Sequence, residues 1–203
     1  MHFVETMSLY SGLKSSRPFI QESFFPVVPE KYITICTEDH QSKQWDGFYE
    51  YIELIKPILN KNGISIIEIG ANTVNFKGVV VLKKVTNPNH WSFIVKNSLL
   101  HIGPESFINS LAAYHNVPCI TLFSNTSPEY ASPEWIKSSA EQVLLLPNVK
   151  NYKPSFSAQE PEKSINKIYA EEVISKSLDI LNIENAFNKY NIFYVGNFYF
   201  NKT

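Results

Sequence analysis

The stretch from Gly103 to Ser110 carries residue types that suit the binding of an anion. Gly103 ends an apolar run, and Pro104 stands at the first turn of a predicted helix. The amides of a helix's first turn have no partner within the helix and carry about half a positive charge. Ser106 adds a hydroxyl at the same end. The pattern predicts either a phosphate site or a tight turn with Ser106 helping to cap the helix, and both readings stay open.

Three further segments follow apolar runs in the same way, at residues 37–43, 70–75 and 124–133. In an open parallel sheet, ligands bind beyond the carboxyl ends of the strands, where such loops meet helix N-termini. Arg17 is the only arginine in the chain. Any phosphate site must therefore use lysine, backbone amides and helix N-termini instead of guanidinium groups.

The elements that would position these loops follow from apolar patterning. Apolar runs predict strands over residues 32–36, 64–70, 79–82, 98–103, 118–123 and 142–147, and helical spacing predicts helices over 45–59, 89–96, 104–116 and 168–181. Strands that are apolar throughout and separated by helices indicate a parallel sheet covered on both faces. The sequence predicts an α/β fold, a single Rossmann-like three-layer domain with a mainly parallel sheet of about six strands.

The domain organisation predicted from the sequence has three parts. Residues 1–30 form an extended N-terminal segment, residues 31–183 form the Rossmann-like domain, and residues 184–203 form a C-terminal aromatic hairpin or tail around Gly196 and Asn197. The polar residues 148–165 are predicted to be a surface loop.

Composition narrows the class of protein. A chain of 203 residues fits one domain, and its formal net charge of −1 gives no reason to expect nucleic acid as a partner. Cys36 and Cys119 lie in apolar runs, which predicts buried free thiols in a reducing compartment. No apolar run is long enough to span a bilayer, and no signal-peptide pattern is present, so we expect a cytoplasmic protein.

Residues 101–133 read HIGPESFINSLAAYHNVPCITLFSNTSPEYASP, and residues 42–45 read SKQW. These stretches resemble the ADP-heptose:lipopolysaccharide heptosyltransferases, glycosyltransferase family nine. That family carries a strand, a glycine, an Asp-Ser/Thr-Gly element, a histidine three residues later, LAAALGVP, a strand and FGPTDP, with Lys-x-Trp-Pro upstream. The resemblance covers roughly residues 32–147, and the matching positions are Lys43, Trp45, Gly103, Ser106, Leu111, Ala112, Ala113, Val117, Pro118, Leu122, Phe123, Thr126 and Pro128.

The resemblance implies a donor-binding role for this chain. The family has the two-domain GT-B architecture, and its second domain holds the nucleotide diphosphate-sugar. Carried over, Lys43 would contact the diphosphate, and Ser106 with the helix N-terminus would cradle phosphate. The loop with Gly70 and Asn72 would lie near the base and ribose, and Thr126 stands in the matching loop. No carboxylate pair for Mg²⁺ is evident, so we expect metal-independent binding without a cofactor.

Three positions depart from the family pattern. Glu105 stands for the family's aspartate, Phe107 for its glycine and Ser110 for its histidine. Glu105 keeps the charge, whereas Phe107 places a bulky side chain where the family leaves room for a backbone to approach the ligand. Ser110 removes a possible phosphate or sugar contact.

The family's first domain holds the acceptor and the carboxylate proposed as general base, and only about 30 residues precede the first predicted strand here. We therefore expect no catalytic base in this chain and an acceptor site supplied by a partner chain or N-terminal domain. The chain could be a fragment or split subunit whose partner supplies the other half, or a standalone module that retains nucleotide binding. It could also be a decayed remnant of a transferase, kept for structural reasons. The alternative function is a non-catalytic assembly protein in which Phe107 plugs the pocket. A nicotinamide-dependent enzyme is disfavoured because no GxGxxG motif follows the first strand.

Overall fold

The structure, a computed structural model, describes residues 1–37, 41–71, 73–82 and 87–184. Among these residues, six strands form one sheet: Tyr32–Cys36 (β1), Ser65–Ile69 (β2), Val80–Val81 (β3), His101–Pro104 (β4), Cys119–Leu122 (β5) and Gln142–Leu145 (β6). The α-helices are Phe3–Ser11 (α1), Phe48–Lys61 (α2), Pro88–Lys96 (α3), Phe107–Tyr114 (α4), Pro128–Ala131 (α5) and Ala170–Ile180 (α6). Short 3-10 helices cover Gln41–Lys43, Pro133–Ile136 and Ser164–Lys167.

The strand order is β3-β2-β1-β4-β5-β6, and every neighbouring pair is parallel. The chain builds outward from β1 to β3 and then returns to place β4 beside β1. This order is the one that Rossmann-type sheets adopt. The predicted α/β class, with a parallel sheet of about six strands, is confirmed.

Helices cover both faces of the sheet, because its strands are apolar on both sides. One core cluster joins α2 and α6 to the sheet through fully buried side chains, and the second joins α3 and α4 to the opposite face. Each fully buried Leu, Ile or Val side chain contributes about 1.5–3 kcal/mol relative to exposure. Among the residues described above, no helix is long and apolar enough to cross a membrane.

The helix after β4 begins later than the sequence predicts. Pro104 pairs with Leu122 of β5 and belongs to β4, and the amide of Glu105 continues the ladder by donating to the Leu122 carbonyl over 3.1 Å. Helix α4 starts only at Phe107, with Ser106 as an extended N-cap. The prediction that the helix starts at Pro104 is therefore wrong, because Pro104 belongs to the strand and the helix starts at Phe107.

Gly103 belongs to the interior of β4, one residue before the strand ends. A Cβ at this position would stand 3.1 Å from the Cβ of Cys36 and 3.3 Å from the Cys36 carbonyl oxygen. Gly103 thus allows β1 and β4 to approach closely at their carboxyl ends, and the predicted tight turn at this glycine is not formed.

The N-terminal segment contains a helix where an extended chain was expected. Helix α1 begins after His2, whose Nδ1 accepts from the Val4 amide over 3.3 Å, while the Glu5 carboxylate accepts from the His2 amide over 3.3 Å. Gly12 ends the helix in the left-handed region, with φ of 67°. The predicted C-terminal hairpin around Gly196 and Asn197 lies outside the described residues.

Two titratable groups lie deep in the sheet. Cys119 is a free thiol whose pKa is raised to about 12 by burial. His101 is fully buried, and its Nδ1 lies 2.9 Å from the Thr34 hydroxyl oxygen. Burial lowers the pKa of His101 to about 3, and the hydrogen bond with Thr34 offsets only part of this shift. His101 is therefore neutral in the folded protein at ordinary pH.

We predict that His101 makes the fold sensitive to acid. Between its ordinary pKa of 6.5 and the folded value of about 3, the unfolded chain binds a proton that the folded chain does not. Stability from this group is complete above pH 6.5 and falls as the pH is lowered through that window. The free energy of unfolding, measured with urea at several pH values, should fall more steeply toward acid for wild type than for His101→Gln. The difference in slope should reach up to about 1.4 kcal/mol per pH unit. Parallel stability curves would contradict this assignment.

Candidate functional site

The candidate site lies where the strand order reverses. The chain leaves β1 toward β2 and leaves β4 toward β5, so the two loops diverge, and the region between them is called here the crevice. Open α/β sheets bind ligands at such points. Lys43 closes the 3-10 helix after β1, and Glu105 and Ser106 follow β4. The fold therefore brings these predicted residues to one edge of the sheet.

Lys43 and Glu105 form an ion pair across this crevice. The Lys43 ammonium donates to the Glu105 carboxylate over 2.7 Å and to the Glu105 carbonyl oxygen over 3.1 Å. Their side chains are only 16% and 8% exposed, so water screens the pair far less than a surface ion pair. The lysine assigned to a diphosphate by resemblance is thus engaged by the protein's own carboxylate.

Ser106 begins α4 without capping it. Its side chain makes no hydrogen bond to the helix's first amides and instead donates to the Asn109 side-chain oxygen over 2.7 Å. The side-chain NH₂ group of Asn109 in turn donates to the Thr121 hydroxyl over 3.0 Å and to the Gly103 carbonyl oxygen over 3.3 Å. The capping reading is therefore not realised, and Asn109, which the sequence did not single out, fixes the Ser106 hydroxyl.

Residues 148–163, called here the strap, cross the same edge of the sheet. The Ser157 carbonyl accepts from the Ser42 hydroxyl over 3.0 Å and from the Asn125 amide group over 2.7 Å. The backbone amide of Phe156 returns a bond of 2.7 Å to the Asn125 carbonyl. These contacts join the strap to the loops after β1 and β5. The sequence predicted only a surface loop here.

A buried carboxylate organises the strap from within. Glu160 accepts from the Ser155 hydroxyl over 2.6 Å and from the amide and hydroxyl of Ser164 over 3.0 and 2.8 Å. Burial raises the pKa of Tyr152 above its ordinary value, a contact with Ser164 opposes this, and the charges of Glu160 and Glu105 add to it. The strap therefore contributes a phenol that stays neutral at ordinary pH.

A second buried carboxylate holds the loop after β2. Glu68 is fully buried and accepts from the amides of Val74 and Asn75 over 2.7 and 3.0 Å, and from the Thr37 hydroxyl. It therefore fastens this loop to the end of β1. Sequence reasoning missed Glu68, although a lone carboxylate within the apolar run ISIIEIG is a signal for such a role.

The other predicted site residues have separate placements. Gly70 follows β2 and has φ of 143°, and Asn72 lies outside the described residues. Thr126 follows β5, and its hydroxyl oxygen is buried with no hydrogen-bond partner among the described residues. Ser110 and Phe107 line a pocket that does not include Lys43, and the Phe107 side chain is 53% exposed.

No protein-family model matches the chain, and no curated protein matches it. Several solved structures are similar, and each aligns over about half its own length. They include a family 9 glycosyl transferase from Veillonella parvula (14% identity, TM-score 0.61, 75% of this chain and 46% of that one). A second is E. coli ADP-heptose lps heptosyltransferase II, with 16% identity and a TM-score of 0.56 over 88% of this chain and 50% of that one. A third is E. coli heptosyltransferase WaaC with ADP, with 16% identity and a TM-score of 0.54 over 87% of this chain and 54% of that one.

The chain has the Rossmann-like fold of one half of these GT-B proteins. At such low identity the likeness establishes the fold alone. Within the described parts of the chain, no group of three or more His, Cys, Asp or Glu side chains could hold a metal ion.

We predict that Lys43 and Glu105 stabilise the fold through their mutual contact. In a double-mutant cycle of Lys43→Ala and Glu105→Gln, urea unfolding should give a coupling energy above about 1 kcal/mol, because each single change removes the ion pair of a mostly buried charged group. The matched control is the Lys96–Glu22 pair, which is 2.9 Å apart but 49% and 30% exposed. Its cycle should give less than about 1 kcal/mol. Equal coupling in the two cycles would contradict the interpretation.

Proposed function

We propose that this chain is a glycosyltransferase-like domain that binds a nucleotide diphosphate-sugar donor. The observation that carries the proposal is the convergence of Lys43 and the start of α4 at the reversal of strand order. The similar solved structures support it, since several are heptosyltransferases and one contains ADP. The proposed reaction class is glycosyl transfer in glycan or lipopolysaccharide-type synthesis.

In the proposed complex, the diphosphate takes the place of the Glu105 carboxylate beside the Lys43 ammonium. The first amides of α4, which Ser106 does not cap, offer further donors and the positive end of the helix dipole. A lysine and a helix N-terminus can stabilise the charge of a departing diphosphate. The loop fastened by Glu68 lies after β2, on the side where the resemblance places the base and ribose.

The proposal assigns the acceptor site and the general base to a second domain or partner chain. The chain spans about half the length of the similar solved structures. Efficient transfer needs an acceptor oriented beside the donor and a site closed to water, which a facing domain would supply. We therefore expect donor binding by this chain alone and transfer only with the second half present.

One observation favours the alternative of a non-catalytic assembly protein. Lys43 already has a carboxylate partner, and a diphosphate approaching it also meets the negative charge of Glu105. If the crevice serves only to bind the loops together, no anionic ligand should compete with this internal pair.

Calorimetric titration with ADP-, GDP- and UDP-sugars tests the proposal. Wild type should bind at least one of them, and Lys43→Ala should weaken that binding by at least about tenfold, or 1.4 kcal/mol. Glu105→Gln should strengthen it, because the variant removes the competing charge while keeping a similar shape.

Lys96→Ala is the control, since it removes a half-exposed paired lysine that ends α3 before β4, whereas the crevice lies after β4. Its affinity should equal that of wild type. Absence of binding in both wild type and Glu105→Gln would favour the assembly protein, and equal affinity in Lys43→Ala would remove Lys43 from the site.

A further inference from the structure

An apolar pocket of about 380 Å³ lies beside α4, separate from the Lys43–Glu105 crevice. Its walls come from the N-terminal segment and from the first turns of α3 and α4. The segment 131–136, which runs from the end of α5 into the following 3-10 helix, completes the wall. Side chains that define it include Phe19, Ile20, Pro88, Phe107, Ala131 and Trp135. The volume falls within the range of about 300–1,000 Å³ typical of small-molecule sites.

The lining of this pocket carries no formal charge. None of the described residues that form it is Asp, Glu, Lys or Arg. By contrast, a hollow of about 360 Å³ against α2 includes Glu53, Lys56 and Lys77. A hollow of about 410 Å³ beside the 3-10 helix Pro133–Ile136 includes Arg17 and Glu134. Pockets of similar volume thus differ in the charge of their lining, and the pocket beside α4 suits an uncharged group.

Two polar side chains in the pocket wall, His2 and Ser132, already have partners within the protein. His2 accepts from the Val4 amide at Nδ1, and its Nε2 lies 3.2 Å from the Ser132 carbonyl oxygen, which assigns the ring proton to Nε2. Burial lowers the pKa of His2, so the ring is neutral at ordinary pH. The Ser132 hydroxyl accepts from the Glu134 amide over 3.1 Å. These two side chains therefore need no hydrogen bond from a ligand.

The rim is apolar, and contacts on either side of it hold the N-terminal segment in place. Phe19 is 90% exposed and Phe107 is 53% exposed. The His2 ring stacks on Trp135 at 5.5 Å, and the Arg17 guanidinium donates to the Tyr114 carbonyl over 2.9 Å. These contacts fix the N-terminal segment on either side of the gap. An exposed apolar rim around a preformed hollow is typical of a binding site.

We propose that this pocket binds an uncharged apolar group, either a fused aromatic ring or an alkyl chain. At about 30 Å³ for each water-sized group, the volume accommodates on the order of a dozen such groups. Burial of this group and of the rim side chains drives the association. The pocket includes neither Lys43 nor Glu105, although both sites adjoin the first turn of α4.

Titration with N-phenyl-1-naphthylamine, an uncharged probe that fluoresces in apolar surroundings, tests this site. The wild-type chain should bind one equivalent with a dissociation constant on the order of 10 μM. Ala131→Trp should fill the pocket and weaken binding at least tenfold. The matched control, Ala158→Trp, places the same side chain at an exposed position of the strap and should leave binding unchanged.

Phe19→Ser provides a second variant that leaves the core intact, since this side chain is almost fully exposed. It should weaken probe binding at least threefold. Displacement of the probe by 2-naphthol or by 1-decanol distinguishes an aromatic occupant from an alkyl one. Failure of the wild-type chain to bind the probe would overturn the proposal. Unchanged affinity in both Ala131→Trp and Phe19→Ser would overturn it as well.

Discussion

The close approach of β1 and β4 at their carboxyl ends is the constraint on which the rest of the site depends. A Cβ at Gly103 would make tight contacts with Cys36, 3.1 Å from its Cβ and 3.3 Å from its carbonyl oxygen. The loops that follow must diverge, because β2 lies on one side and β5 on the other. The position of the crevice therefore follows from strand order, and Gly103 relieves crowding where β1 and β4 end.

Within that crevice, the main electrostatic feature is a neutral pair instead of a free positive charge. Lys43 and Glu105 are both largely buried, and each limits the cost of burying the other. The pair joins two loops that the strand order drives apart. The same contact can thus stabilise the domain and set the conditions under which an external anion enters. Structural and ligand-binding roles are coupled at this one bond.

The sequence predicts the strands and the layers well, because buried parallel strands are continuous apolar runs that can be recognised locally. It predicts Lys43 and Ser106 at one edge for the same reason, since both follow such runs. It misplaces the start of α4, because the pairing of Pro104 with β5 depends on a distant strand. It also misses α1, whose N-cap is a histidine instead of the usual Ser, Thr, Asp or Asn.

The contacts of the strap could not be predicted, because they join residues far apart in sequence through single hydrogen bonds. The strap has one further property. The acceptor for Ser42 and Asn125 is the main-chain oxygen of residue 157, which every amino acid possesses. The bonds to Ser42 and Asn125 therefore do not depend on which side chain stands at position 157. Selection would act instead on the two donors, 115 and 32 residues away along the chain.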